Sequence, residues 1–296
     1  MSTVGRERSL LLVHAHPDDE SIFTGATMAR YAAEGARVTL VTCTMGEQGP
    51  VRRTHPVIVE KESLGSLPAN SEEWQEFKAK LRATDLEAAC SELGVTEHRY
   101  LGGPGRWRDS GVPVSDDPAA FSRADVDEAA GELATIIQEV QPQVMVTYDA
   151  NGFYGHPDHI QAYRVAWRAY QLACDPLRTK FYALTIPRSV LAEIISPQVH
   201  PKPAPDDERI SAYLKNGLPD DEVTTEIDAD AYLDAKLAAL QAHASQIIVD
   251  GPLFVASGLL RMRAIGTEYY ALLSGPGAMD APSFGQIREN DLFHGV

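Results

Sequence analysis

Residues 9–20 read SLLLVHAHPDDE, and this stretch decides the fold class of the chain. Its first half, residues 10–13, is a short continuous apolar run, which is typical of a parallel strand buried on both faces. Histidines and acidic residues follow that run directly. Because active sites in open α/β sheets form at the carboxyl ends of the strands, the stretch predicts a functional site in such a sheet.

A second histidine–acid motif follows a second strand-like run. Residues 143–148 read QVMVTY, and residues 156–159 read HPDH. Pro157 favours the start of a helix, because its missing N–H is not needed in the first turn. Either motif alone could merely cap a helix, since carboxylates satisfy the free N–H groups there. Together they predict one shared site, provided that the two strands are neighbours.

The residue types of the two motifs are typical of a catalytic zinc site. Two histidines and one carboxylate leave a fourth position open, whereas structural zinc sites fill all four. His16 and Asp19 are three residues apart, so both can face one ion from a first helical turn. His159 would complete the set. Because iron(II) suits the same ligands, the residues leave the metal open between Zn²⁺ and Fe²⁺.

The remaining sequence predicts alternating strands and helices. The predicted segments are helices over 21–34, 72–93, 124–140 and 230–246, strands over 37–44, 99–101 and 180–185, and long loops over 46–71, 102–122 and 197–207. This order predicts an α/β, Rossmann-like fold with a largely parallel sheet, helices on both faces and a C-terminal cap region. We expect a single domain over 1–296, with a catalytic core over 1–185 and the cap over 186–296.

Composition narrows the class of function. The formal net charge of −16 argues against nucleic acid and against anionic membrane surfaces as partners. The sequence has no apolar stretch of transmembrane length, and we do not expect its short, polar first eight residues to be a signal peptide. The cysteines Cys43, Cys90 and Cys174 lack zinc-finger or Cys-x-x-Cys spacing and fit a reducing compartment. We therefore expect a cytoplasmic protein of undetermined oligomeric state.

The two motifs resemble those of the LmbE-like zinc deacetylase family, which belongs to the PIG-L superfamily. The resemblance lies in HAHPDDE over 14–20, TMGEQG over 44–49 and YDANGFYGHPDH over 148–159. It returns in AHASQ over 242–246. Residues 105–111, GRWRDSG, are similar to the branch that deacetylates the GlcNAc-inositol precursor of mycothiol.

This resemblance implies a role for each remaining polar residue of the motifs. Asp18 matches the general base that deprotonates the zinc water. His156 matches the histidine that stabilises the developing charge and protonates the leaving amine, and Asp158 matches its orienting partner. Tyr154 matches a tyrosine that hydrogen-bonds the oxyanion. The three candidate zinc residues match the family's metal ligands.

Substrate contacts are implied at three further positions. Arg82 and Asp109 match residues that hold hydroxyl groups of the sugar and inositol, and Val112 matches an apolar residue lining the pocket. Arg82 could instead lie on a solvated helix face, and Asp109 could simply form a turn. The mycothiol-related branches tend to carry an acid where this chain has Pro50, and residues 51–71 also differ.

The resemblance implies a zinc-dependent hydrolase that removes the N-acetyl group from an N-acetylglucosamine glycoside. The substrate it favours is 1-D-myo-inositol 2-acetamido-2-deoxy-alpha-D-glucopyranoside, a small N-acetylated amino sugar. Three alternatives stay open: an amidase acting on mycothiol S-conjugates, a tailoring deacetylase of secondary metabolism, and a sugar-binding protein on a retired hydrolase fold. Pro50 and the loop after it favour the tailoring enzyme somewhat.

Overall fold

A seven-stranded sheet forms the centre of the protein, with a second sheet of three strands beside it. The computed structural model describes residues 7–52, 54–60, 67–68, 71–112, 114, 116–195, 208–256, 261–278 and 288–296. Its strands are β1 Ser9–His14, β2 Arg37–Thr42, β3 Glu97–Tyr100, β4 Val144–Thr147, β5 Lys180–Thr185, β6 Thr225–Ile227, β7 Ile247–Asp250, β8 Leu253–Ala256, β9 Met262–Arg263 and β10 Glu268–Ser274.

Helices connect the strands of the large sheet. They are α1 Asp19–Phe23, α2 Gly25–Ala33, α3 Pro56–Glu60, α4 Glu72–Glu92, α5 Val126–Val140, α6 Gly152–Gly155, α7 Pro157–Ala173, α8 Arg188–Ile194, α9 Glu208–Leu214 and α10 Leu233–Ala242. Helix α5 packs against α7, while α10 contacts both α2 and α4. The predicted helical segments therefore cover an open sheet, as expected of a Rossmann-like fold.

The order of the strands places the two sequence motifs side by side. The large sheet runs β3-β2-β1-β4-β5-β10-β6, and its first five strands are parallel. Strand β1 pairs with β2 on one side and with β4 on the other, with Leu10 opposite Val144. After β1 the chain adds β2 and β3 on one side of this strand, and it later adds β4 and β5 on the other side. This is the topological switch point at which ligands bind in open α/β sheets.

Burial explains why the β1 run is apolar throughout. All six residues of Ser9–His14 are buried, because neighbouring strands and helices cover both faces.

Helix α5 has Asp125 at its N-cap, where the carboxylate accepts the Glu128 N–H at 3.0 Å, and Pro142 follows its end. The predicted fold class is confirmed, and the 72–93 and 124–140 helices are right to within two residues.

Three segments differ from the sequence prediction. The predicted loop 46–71 contains helix α3, and the predicted helix 21–34 is two helices that meet at Thr24. The predicted helix 230–246 begins as the 3₁₀ turn Asp230–Tyr232 and ends at Ala242. Beyond Ala242 the chain leaves the helix, and His243 and Gln246 contact the segment after β1. The predicted loop 197–207 lies outside the described residues.

The C-terminal region contributes to both sheets. Strand β10 pairs antiparallel with β5 and with β6, so these two strands complete the large sheet. Strands β7, β8 and β9 form the small antiparallel sheet. Among the residues that the structure describes, no helix is both long and apolar enough to cross a membrane.

Candidate active site

Both sequence motifs meet in one cavity at the carboxyl ends of β1 and β4. The cavity measures about 400 Å³. Eight of the ten predicted site residues line it: His16, Asp18, Asp19, Arg82, Asp109, Val112, Tyr154 and His156. The other two, Asp158 and His159, are fully buried and contact residues of the cavity wall. The structure therefore assembles all ten in one place.

The carboxylate of Asp19 lies at the spacing of zinc ligands from each of the two candidate histidine ligands. Oδ2 of Asp19 lies 3.3 Å from Nδ1 of His16 and 3.4 Å from Nε2 of His159. Donors about 2.0–2.1 Å from a tetrahedral zinc ion are about 3.3 Å apart from one another, so these separations fit zinc. Burial opposes ionisation of Asp19, but His159 and His16 nevertheless hold the pKa of its carboxyl well below the usual range.

The buried ring of His159 is the observation that best fits a metal ion. Neither ring nitrogen has a hydrogen-bond partner among the residues that the structure describes. A polar group that is buried and unpaired is costly, and most such groups in proteins have a partner. A metal ion coordinated by one of these nitrogens would remove that cost, so the site fits a metal.

Two other combinations of donors lie close enough together to compete for an ion. The ligand atoms of His16, His156 and His159 are within 4.8 Å of one another, as are those of His16, Asp109 and Asp158. In each combination, however, a donor atom is already engaged by hydrogen bonds within the protein. Oδ2 of Asp19 likewise accepts hydrogen bonds, from the Tyr148 hydroxyl and the His16 N–H, so hydrogen bonding does not decide among the three sets; the set with Asp19 is the one that the resemblance implies.

Tyr148, which the sequence prediction missed, holds two of the three candidate ligands. Its hydroxyl donates to Oδ2 of Asp19 at 2.7 Å and accepts the Ala15 N–H at 2.9 Å. Its ring stacks on that of His159, with centroids 4.1 Å apart and planes 17° apart. The feature of the sequence that could have identified Tyr148 is its position at the end of the strand-like run 143–148, directly after β4.

Asp158 contacts a different histidine from the one that the resemblance assigns to it. Its Oδ2 lies 3.2 Å from Nε2 of His16 and accepts the Ser110 N–H at 2.9 Å, while Oδ1 accepts the Ser110 hydroxyl. Its carboxylate therefore holds His16 with Nδ1 directed at Asp19. Carboxylates that bind the far nitrogen of a ligating histidine in this way fix its orientation.

His156 is instead oriented by the backbone. It is the N-cap of α7, and its Nδ1 accepts the backbone N–H of Asp158 at 3.2 Å. Because Nδ1 accepts, the ring proton belongs on Nε2 and the ring is neutral. Burial, together with the nearby His16 and His159, lowers the pKa of His156 to about 3. Asp158 therefore contacts His156 through its N–H rather than its carboxylate, and its orienting role stays a prediction.

The backbone of Asp18 is strained. Its φ of 137° lies in a region that residues with a side chain rarely adopt. Such strain persists only where the surroundings enforce it, and it concentrates at functional sites. Burial raises the pKa of the Asp18 carboxyl to about 7, against the opposing charge of Arg82.

Arg82 lies under the cavity rather than on a solvated helix face. Its guanidinium donates to the carbonyl of Gly46 and, at 2.9 Å, to that of Pro17, and it lies 3.6 Å from Oδ1 of Asp18. A Cβ added at Gly46 would lie 2.3 Å from Cζ of Arg82, and one at Gly49 would lie 2.1 Å from Nη1. The two glycines of TMGEQG thus make room for this arginine.

Asp109 organises two loops beside the cavity, and its Oδ1 lies 3.7 Å from Nε2 of His16. Its Oδ2 accepts the N–H groups of Gln48 and Gly49, both at 3.1 Å, and its Oδ1 accepts that of Gly111 at 2.8 Å. Although it also closes a turn, it is buried and reaches two loops. Val112 is 74% exposed and lies at the cavity.

A Rossmann-like sheet with a histidine–carboxylate cluster at its switch point defines an α/β protein with a candidate metal centre. A family model described as PIG-L, GlcNAc-PI de-N-acetylase, matches residues 11–170. The chain belongs to this family, which confirms the resemblance that the motifs carry.

Curated relatives extend the match over the whole chain. A relative from Thermomonospora curvata is 50% identical over 98% of this chain and 97% of its own length. One from Acidothermus cellulolyticus is 50% identical over 98% and 95%, and one from Streptomyces avermitilis 46% identical over 98% and 98%. All three are named 1D-myo-inositol 2-acetamido-2-deoxy-alpha-D-glucopyranoside deacetylase.

Solved structures show the same fold at lower identity. A deacetylase in complex with teicoplanin has a TM-score of 0.52 at 18% identity, over 89% of this chain and 98% of its own. The hydratase GalB from Pseudomonas putida has a TM-score of 0.55 at 19% identity, over 96% and 99%. Since a deacetylase and a hydratase share it, the fold alone does not decide the reaction.

Proposed function

We propose that this protein is a zinc-dependent deacetylase whose substrate is 1-D-myo-inositol 2-acetamido-2-deoxy-alpha-D-glucopyranoside. The observation that carries the proposal is the near-full-length similarity, at 46–50% identity, to relatives named for that activity. The cavity supports it, because it combines a candidate metal site with polar groups able to act on an amide.

His16, Asp19 and His159 are the residues that would hold the metal. Zinc, when bound, polarises the amide carbonyl and lowers the pKa of water to about 7. The relatives' names do not state a metal, and Fe²⁺ suits the same donors. Two protein groups support the ligands: the Asp158 carboxylate at His16 and the Tyr148 hydroxyl at Asp19.

Asp18 is the proposed general base. It lines the cavity next to the proposed ligand Asp19, but it is not itself one of the three proposed metal ligands. It would take a proton from the attacking water. Because His156 rests neutral, Asp18 is also the group that can return this proton to the departing amine nitrogen. That assignment differs from the resemblance, which gives the amine proton to His156.

His156 and Tyr154 are the proposed hydrogen-bond donors to the carbonyl oxygen as it gains charge. Both line the cavity, and their rings lie 6.1 Å apart. With Nδ1 of His156 engaged by the backbone, its Nε2–H is the group available to an oxyanion. Donors fixed in advance act most strongly, because nothing must reorganise during the reaction.

Substrate recognition is proposed for the part of the cavity beside the candidate base and ligands. Arg82, Asp109 and Val112 line it, but the first two also make the backbone hydrogen bonds that hold the surrounding loops. We therefore expect their loss to disturb the site as well as to weaken binding. Pro50, which also lines the cavity, cannot replace an acid as a hydrogen-bonding group.

Replacing His156 by alanine is expected to lower kcat by about 10²–10³-fold, the usual worth of one oxyanion donor. KM should change little, because the contact is made mainly in the transition state. Steady-state kinetics together with zinc analysis would measure both effects. A variant with normal kcat and a raised KM would show that His156 only binds the sugar.

Replacing Tyr148 by phenylalanine should weaken zinc binding by about 10–100-fold, since partners that orient metal ligands have this effect. The ring that stacks on His159 is kept, and only the hydroxyl bonded to Asp19 is lost. Competition with a zinc-binding dye would give the affinity. Tyr170→Phe is a matched control, because its hydroxyl bonds Thr179 far from the cavity. Equal affinities in the two variants would contradict this role.

A hydrolysis panel tests the function directly. The zinc-loaded protein would be offered the GlcNAc-inositol substrate, a mycothiol S-conjugate and simple N-acetylglucosamine glycosides, with liberated amine measured. The proposal requires the highest kcat/KM for GlcNAc-inositol. Preference for the S-conjugate would make the protein an amidase, and preference for neither would favour a tailoring enzyme. Binding without any hydrolysis would indicate a sugar-binding protein.

A further inference from the structure

Glu20 supports the strained backbone of Asp18 from within the protein. Its side chain is fully buried, and its Oε2 accepts the Asp18 N–H at 3.0 Å. The other oxygen, Oε1, accepts the Ser21 hydroxyl at 2.5 Å. Glu20, a residue of the HPDDE motif without a predicted role, therefore contacts the backbone of the proposed base.

A histidine from the far end of the chain completes this contact. Nε2 of His243 lies 2.7 Å from Oε1 of Glu20, and both side chains are fully buried. His243 is the C-cap of α10, where the chain leaves the helix. Two buried ionisable groups in such contact fix each other's position, since separating them would leave a charge unpaired.

The residues after His243 secure the same loop at further points. The Gln246 side chain donates to the carbonyl of Pro17 at 3.1 Å. The hydroxyl of Ser245 donates to Oδ2 of Asp85, on helix α4, at 2.5 Å. Segment 242–246 thus joins α4 to the loop that carries the candidate ligands and base.

We propose that Glu20 and His243 form a positioning pair that holds Asp18 in its strained conformation and so directs its carboxylate into the cavity. The inference rests on the proposed function, because it gives the pair a purpose through Asp18. It makes the C-terminal segment a part of the catalytic apparatus, although the pair itself touches no reacting atom.

The test compares His243→Ala with Lys236→Ala in the zinc-loaded, full-length protein. Lys236, also on α10, bonds the buried carboxylate of Glu268 at 2.7 Å, so both variants deprive a buried carboxylate of its partner. We expect similar losses of Tm. His243→Ala alone should lower kcat by about 10–100-fold, as misplaced catalytic groups do, with KM and zinc content little changed.

Two further variants keep the test decisive if His243→Ala folds poorly. His243→Gln places an N–H donor where Nε2 stood and should restore most of kcat. Glu20→Gln keeps the shape but has one oxygen instead of two, so it should repeat the kcat loss. A pair that acts only on folding would instead lower Tm in each variant without a selective effect on kcat.

Crystal structures of the metal-free variants separate this inference from the proposed function. The φ of Asp18 should relax from 137° in His243→Ala but stay near that value in Lys236→Ala. An unchanged φ, or equal kcat in the two variants, would overturn the positioning role. A fully active Asp18→Asn variant would instead overturn the proposed base, while the φ measurement would still decide whether the pair holds the backbone.

Discussion

Replacing Asp18 by asparagine is expected to lower kcat by about 10²–10⁴-fold, the usual contribution of general acid–base catalysis. Asparagine has the same shape but cannot take a proton from water at neutral pH. It also tolerates unusual backbone conformations better than most residues, so the strained φ of 137° should survive. Steady-state kinetics and zinc content, measured on the same preparation, would test the prediction.

The zinc measurement decides how a loss of activity is interpreted. An Asp18→Asn variant that loses its metal would show that Asp18, and not Asp19, is the carboxylate ligand. Asp19→Asn should show the opposite pattern, with metal lost first. Wild-type kcat in Asp18→Asn would remove this residue from the mechanism altogether.

Replacing His159 by alanine should abolish zinc binding and lower kcat/KM by at least about 10³-fold. Metal activation supplies several kcal/mol, and each 1.4 kcal/mol corresponds to a factor of ten in rate. His159 is fully buried, and neither of its ring nitrogens has a hydrogen-bond partner within the described part of the chain. Its removal costs the stacking on Tyr148 and the 3.4 Å contact between Nε2 and Oδ2 of Asp19, but no hydrogen bond seen in the structure, so the main expected effect is on the metal.

His98→Ala is the matched control for this variant. His98 is a largely covered histidine on strand β3, and its Nε2 bonds the Thr42 hydroxyl at 3.0 Å. That variant should keep its zinc and its kcat. Metal analysis by mass spectrometry and activity before and after chelation would be compared for both. A His159→Ala variant that still binds one zinc per chain would disprove the proposed ligand set.

Much of the site could be predicted because its signals are local. An apolar run such as residues 10–13 indicates a strand buried on both faces, and the polar residues directly after it must lie at that strand's end. The pairing of β1 with β4 then brings HPDDE and HPDH together. The fold class follows from the residue pattern and the rules of parallel sheets, whereas the meeting of both motifs required that β1 and β4 be neighbours.

The partner of each side chain was beyond this kind of prediction. The resemblance pairs Asp158 with His156, two residues away, but the structure pairs its carboxylate with His16, on another strand end. Helix α7 begins at Pro157, so the Asp158 N–H is free for His156 while the carboxylate points across the cavity. Such choices depend on how the ends of separate strands are oriented, which no local pattern records.

The sequence was therefore sufficient to predict which chemical groups form the site and which strand ends carry them, since residue type and periodicity are properties of short segments. Folding determined which groups meet. Tyr148 reaches Asp19 across 129 positions, and His243 reaches Glu20 across 223. Contacts over such separations depend on strand order and helix packing acting together, and those arise only when the whole chain closes around its core.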